Sequence, residues 1–153
     1  MPRVRDLLVR KSARGVPTAI VSVAPDATVL EAARLMTERG IGGLLVMTGE
    51  GDAAELAGIF TERDILRRVV TEARDPATTR VRDVMTSPVL AVSPDTYVRE
   101  CRALFTERRI RHLPIVGPDG LCGVITSGDV LAFEADEQRT TIEHLESYVY
   151  HGR

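Results

Sequence analysis

Residues 58–64 read GIFTERD and residues 123–129 read GVITSGD, so the pattern glycine, two apolar residues, threonine, two variable residues and aspartate is written twice. Upstream, residues 23–47 (VAPDATVLEAARLMTERGIGGLLVM) align without a gap with residues 92–116 (VSPDTYVRECRALFTERRIRHLPIV). A third echo opens each copy, VRDLL from Val4 and VRDVM from Val81. An internal repeat decides architecture before residue chemistry does, because units this small need a neighbour to bury enough apolar surface. Two copies packed face to face about a pseudo-twofold axis, with a cleft between them, are therefore expected.

Within each copy the order reads strand, helix, strand, strand, helix, an α+β class. Residues 19–23 and 89–92 are short β-rich runs, each followed by a proline two residues on. A helix is predicted from Val29 to Arg39, with Val29, Ala32, Ala33 and Met36 on one face. Thr28 and Glu31 form a capping box at its start, and Gly40 suits its C-terminal cap. The second copy repeats the stripe as Val98, Cys101, Arg102 and Phe105, with Tyr97 and Arg109 in the capping places. Strands are predicted over 44–47 and 56–60, then over 113–116 and 121–125, with a further helix opening at each motif threonine. Residues 71–80 (TEARDPATTR) hold almost no apolar content and join the copies. Past Glu134 one more helix is predicted, with Ile142, Leu145 and Val149 on one side, able to dock on its own core or on a second subunit. The chain divides accordingly into repeat 1 with the N-terminal segment (1–76), repeat 2 (77–135) and a helical tail (136–153).

Composition bounds the function. A chain of 153 residues, 44% hydrophobic and 27% charged with a net charge of -2, is globular and carries no global pull toward nucleic acid or anionic membrane. No apolar run approaches the roughly 20 residues of a spanning helix, and no apolar signal core follows the basic N-terminus, so a cytoplasmic setting is expected. The two cysteines, Cys101 and Cys122, lack metal-like spacing and are read as reduced and structural. The histidines of the tail, His144 and His151, are too isolated to argue metal. No P-loop, GxSxG or HExxH pattern occurs, so no catalytic residue is assigned and the chain is read as non-enzymatic.

The doubled motif carries the chemistry. Glycine admits a flat ligand or another backbone at close range. Threonine stands where a strand becomes a helix, beside unpaired N–H groups and the positive end of the dipole, which suits phosphate. The aspartate one turn on offers acceptors matching a ribose diol. The same Thr-x-x-Asp spacing also makes a plain helix cap. Repetition at one place in the repeat favours binding, and the two roles are compatible.

Residues 4–131 resemble a tandem pair of CBS domains, the two-repeat Bateman module. The resemblance rests on VRDVM at Val81, the PD-x-x-V starts at Pro25 and Pro94, RHLPIV at Arg111 and both G-h-h-T-x-x-D motifs. It implies β-α-β-β-α repeats, a homodimer and regulatory binding of AMP, ADP, ATP, NAD or S-adenosylmethionine in clefts between repeats, with no obligatory cofactor. Carried over, Asp64 and Asp129 take the ribose, Thr61 and Thr126 the phosphate side, and Thr18, Ile20, Ser87 and Val89 the base pocket. Arg111 and His112 fall where some members set basic residues against phosphate. The first copy has Gly42 and Gly43 there, so the two sites should differ. Glu62 and Arg63 stand between Thr and Asp in the first copy, against Ser127 and Gly128 in the second, and the sequence leaves open which of them points inward. For the basic run 108–112 a solvated helix end is the commonest explanation, with phosphate binding in the cleft next to it, and the absence of interleaved aromatics argues against nucleic acid. The rival to a nucleotide sensor is a ligand-independent dimeric scaffold whose tail binds an unknown effector protein.

Overall fold

The computed structural model describes residues 1–15 and 20–151, so the predicted base-pocket residue Thr18 and the start of the strand predicted over 19–23 lie outside the described residues. Contacts divide the chain into two compact units, Ala19–Leu90 and the combination of Met1–Thr18 with Ala91–Arg153.

In the unit of residues 19–90, β1 (Ser22–Val23) lies parallel to β2 (Gly43–Thr48), which pairs antiparallel with β3 (Glu55–Thr61). Helix α2 (Val29–Arg39) connects β1 to β2 and obeys its local signals. Thr28 Oγ1 accepts from Glu31 N–H at 3.1 Å, Glu31 Oε2 accepts from Thr28 N–H at 2.9 Å, and Gly40 closes the helix in the left-handed region at φ 63°. Its buried face is Val29, Ala32 and Met36, packed with Leu44, Val46 and Phe60 of the sheet. After β3 come α3 (Glu62–Asp64) and a π-helical segment (Ile65–Val70) that brings Val69 into the core. The short helix α4 (Val81–Val84) returns to the same core, its start pinned by Val81 N–H on Ala27 O at 2.8 Å and Arg82 N–H on Pro25 O at 3.0 Å.

The other unit repeats this plan with a different opening helix. Helix α1 (Val4–Ala13) supplies Val4 and Leu7 to a core shared with α5 (Val98–Arg108), β4 (His112–Gly117), β5 (Gly120–Thr126) and α6 (Ser127–His151). Val4 N–H bonds Thr96 O at 2.8 Å and Arg5 N–H bonds Pro94 O at 3.0 Å, the same anchoring that α4 makes. By contacts, then, VRDLL belongs with the elements of the second copy and VRDVM with those of the first. Arg109 ends α5 in the left-handed region at φ 53°, the place Gly40 takes in α2.

Two sequence expectations are corrected. The strand predicted over 89–92 shrinks to one bridge, Val92 beside Ile115. Val92 N–H bonds Pro114 O at 3.0 Å and Val116 N–H bonds Val92 O at 2.8 Å. The next rung would need an N–H from residue 114, and proline has none. In the first copy the aligned Leu45 N–H does donate, to Val21 O at 3.3 Å, and β1 forms. The second correction concerns the tail. α6 runs unbroken over Ser127–His151, because nothing past Gly128 interrupts it, so no new helix begins after Glu134.

Candidate functional site

Each motif ends a strand and opens a helix as expected, and Asp64 and Asp129 both cap the helix they begin. In the first unit Asp64 is 5% exposed, the one charged side chain in the buried class among the described residues. Its Oδ2 accepts from Thr61 N–H at 3.0 Å and from Thr61 Oγ1 at 3.3 Å, while Oδ1 accepts from Thr86 Oγ1 at 2.9 Å. The Arg68 Nε, one helical turn on, stands 3.8 Å from Oδ1. Hydroxyl and N–H donors therefore meet the cost of taking this charge out of water.

Gly58 explains how Thr86 reaches this position. A Cβ there would lie 2.5 Å from Met85 Sδ and 3.0 Å from Thr86 O. Of the two reasons for a glycine, close approach of another backbone holds here: Thr86 and Ile59 exchange N–H···O bonds of 2.8 and 3.0 Å across the missing side chain. Gly123 is looser, with Leu8 Cδ2 at 3.8 Å from its Cβ position.

The second junction carries a cation. Asp129 Oδ2 accepts from Thr126 N–H at 2.8 Å, and Asp129 N–H donates to Thr126 Oγ1 at 3.1 Å, a reciprocal cap. Lys11 Nζ, from α1, stands 2.8 Å from the same Oδ2, with side-chain exposures of 14% and 18% for the pair. Arg10, Lys11 and Arg14 line a cavity of about 90 Å³ with Asp129 and Phe133. Each of the three also pairs with an acid of α6: Lys11 with Asp129, Arg14 with Asp136 and Arg10 with Glu137.

The remaining predicted residues fall as follows. His112 faces Thr126 in the β4–β5 register, and Arg111 O accepts from Ser127 N–H at 3.1 Å, so both flank the second junction. In the first unit Gly43 faces Thr61, and Gly42 O accepts from Glu62 N–H at 3.1 Å. The Glu62 carboxylate lies over Gly42, 3.4 Å from its Cβ position, at the rim of a cavity of about 300 Å³ lined by Met36, Ile41 and Ile65. Ser87 donates to Ala57 O at 3.0 Å, Val89 is half-buried and Ile20 is 39% exposed. Sequence reading missed Lys11, Thr86 and Arg68. Arg68 was accessible by its i,i+4 spacing from Asp64. Lys11 and Thr86 were not, since the repeat aligns them with Pro88 and Val9. Among the described residues no group of three or more His, Cys, Asp or Glu is placed to hold a metal ion. Among the described residues, too, no helix is long and apolar enough to cross a membrane.

A family model, the CBS domain, matches residues 4–71 and 81–136. The chain is 36% identical over 129 residues to the CBS domain-containing protein CBSX3, mitochondrial, of Arabidopsis thaliana, covering 83% of this chain and 62% of that relative. It thus spans less than two thirds of that curated relative's length. Against an inosine-5'-monophosphate dehydrogenase of Korarchaeum cryptofilum it is 34% identical over 117 residues, 76% of this chain but only 22% of the enzyme. Among solved structures, a protein with CBS domains from Burkholderia ambifaria superimposes with a TM-score of 0.80 at 39% identity, covering 90% of this chain and 96% of that one.

Proposed function

The chain belongs to the CBS-domain family, its two matched segments forming a tandem pair, and from that premise we propose that it is a non-enzymatic regulatory module that binds an adenosine-type nucleotide. AMP, ADP, ATP, NAD and S-adenosylmethionine are the candidate ligands, bound as regulators and not as obligatory cofactors. The observation that carries this reading is the repeated junction itself. Thr61 with Asp64, and Thr126 with Asp129, set an acceptor carboxylate one turn into a helix whose N-terminus favours anions. A ribose diol would use the remaining lone pairs of the carboxylate, and phosphate would lie toward the threonine. Beside Thr126, Arg111 adds a positive charge and His112 a basic side chain where the first copy has Gly42 and Gly43, so the second junction is the stronger site. Ligand binding would favour one conformation of the pair and pass that bias to an effector. A homodimer in the cytoplasm is part of the same reading.

The test is a thermal-shift and calorimetric titration with AMP, ADP, ATP, NAD, S-adenosylmethionine and GMP. A ligand at about 100 times its dissociation constant adds roughly 2.7 kcal/mol of stability. Stabilisation by adenine compounds and none by GMP is expected, with Asp129→Asn losing more affinity than Asp64→Asn. Equal binding by wild type and the double Asn variant would remove the ribose role.

One observation favours the scaffold alternative: both aspartates already serve as caps, and Asp129 is ion-paired to Lys11. A flat response across the whole panel would decide for it.

A further inference from the structure

The two motif aspartates differ in what they have left to offer a ligand. A carboxylate has about four acceptor positions. In Asp64, Oδ2 accepts from both the N–H and the hydroxyl of Thr61, while Oδ1 accepts from the Thr86 hydroxyl at 2.9 Å with Arg68 Nε 3.8 Å away. The residue is buried, and Thr86 Oγ1 makes the contact that a ribose hydroxyl would make. In Asp129 both donors among the described residues, Thr126 N–H and Lys11 Nζ, go to Oδ2. Oδ1 is left over, and the side chain is 18% exposed.

Charge divides the junctions in the same sense. The repeat alignment sets Glu62 against Ser127 and Gly42 against Arg111. The Glu62 carboxylate, with Oε1 3.4 Å from the Cβ position of Gly42, thus lies over the position that is a cation in the second copy. A phosphate brought beside it meets like-charge repulsion. The helices differ as well, because anion binding at a helix start draws on aligned peptide dipoles. The second junction opens the 25 residues of α6, whereas the first opens the three residues of α3 and then a π-helical segment.

We propose that the first junction is closed by the chain's own groups, Thr86 in the place of a ribose hydroxyl and Glu62 in the place of a phosphate. Each chain then takes one nucleotide, at the Asp129 junction. This rests on the nucleotide reading of the repeat and goes beyond it in fixing the stoichiometry and the residues that set it. Equilibrium dialysis of the full chain against AMP is the experiment. Wild type should hold one AMP per chain, and Asp129→Asn should weaken that binding at least about tenfold. Glu62→Ser with Thr86→Ala removes the anion and frees Asp64 Oδ1, and should admit a second AMP. Two AMP per wild-type chain would overturn the proposal. So would AMP held by Asp129→Asn at wild-type affinity, or a double variant, folded by circular dichroism, that still takes only one. AMP bound by neither wild type nor the double variant would instead remove the nucleotide reading itself, and the proposal with it. The wild-type stoichiometry needs no substitution, so it decides even where the double variant fails to fold.

Discussion

Lys11 Nζ stands 2.8 Å from Asp129 Oδ2, and it reaches there from a helix 118 residues earlier in the chain. The two aspartates of the repeat are thereby made unequal: Asp64 is held by hydroxyls and a backbone N–H, Asp129 by a backbone N–H and an ammonium. Lys11→Met leaves a mostly buried carboxylate with a single Thr126 donor, and should cost about 1–3 kcal/mol. The midpoint of urea unfolding reads this directly, and an unchanged midpoint would show that the pair contributes nothing. On the nucleotide reading Lys11 and a ribose diol compete for one carboxylate. The same variant should then bind adenosine more tightly, and weaker AMP binding with unchanged adenosine would assign Lys11 to phosphate instead.

The two motif glycines should respond differently to alanine. At Gly58 a methyl group would sit 2.5 Å from Met85 Sδ and 3.0 Å from Thr86 O, and only the sulfur can swing away. Overpacking of this kind costs typically 1–3 kcal/mol. At Gly123 the nearest atom lies at 3.8 Å, an ordinary contact, so Gly123→Ala should be close to neutral. Thermal melts of the two variants check the asymmetry, and equal losses would contradict it.

What was legible in the sequence was what local chemistry decides. Thr28, Glu31 and Gly40 bound α2 because caps act within one turn of the residues that make them. The strand–helix junctions at Thr61 and Thr126 were legible for the same reason. The missing strand over 89–92 was not, because its absence depends on Pro114 in a partner strand more than 20 residues away. The donors to the aspartates were hidden similarly: Thr86 lies 22 residues from Asp64, and the repeat sets a valine in its place. A repeat alignment finds what two copies share, whereas Lys11 and Thr86 are where they diverge.

Asp64→Asn should destabilise the fold as well as any ligand complex. An amide keeps one acceptor oxygen and turns the other position into a donor, facing either the Thr86 hydroxyl or the Thr61 N–H. The Thr86 hydroxyl can turn to accept from that amide, so the loss is that of the charge-assisted bonds from Thr61 and Thr86, about 1–3 kcal/mol. Thr86→Val removes one donor and keeps the carboxylate with its Thr61 donors, so it should cost less than Asp64→Asn. Unfolding curves for both, without ligand, give the ordering, and the reverse order would mean that Thr86 carries the site.

The two thiols should separate sharply in reactivity. Cys101 is fully buried on the core face of α5, and desolvation, followed by the nearby Glu100 carboxylate, pushes its pKa up to about 11. Cys122 is exposed. Since the thiolate is the nucleophile, a disulfide reagent at pH 8 should modify Cys122 at once and Cys101 only on unfolding. The same shift makes stability depend on pH. The folded chain keeps the Cys101 proton to about 11, whereas the unfolded thiol loses it near 8.5. Unfolding therefore releases a proton in between, and stability present below about pH 8.5 should decline as pH rises toward 11. Cys101→Ala, which cannot ionise, should show a flatter profile over that window despite its lower overall stability. Parallel profiles for the two proteins would remove Cys101 as the cause.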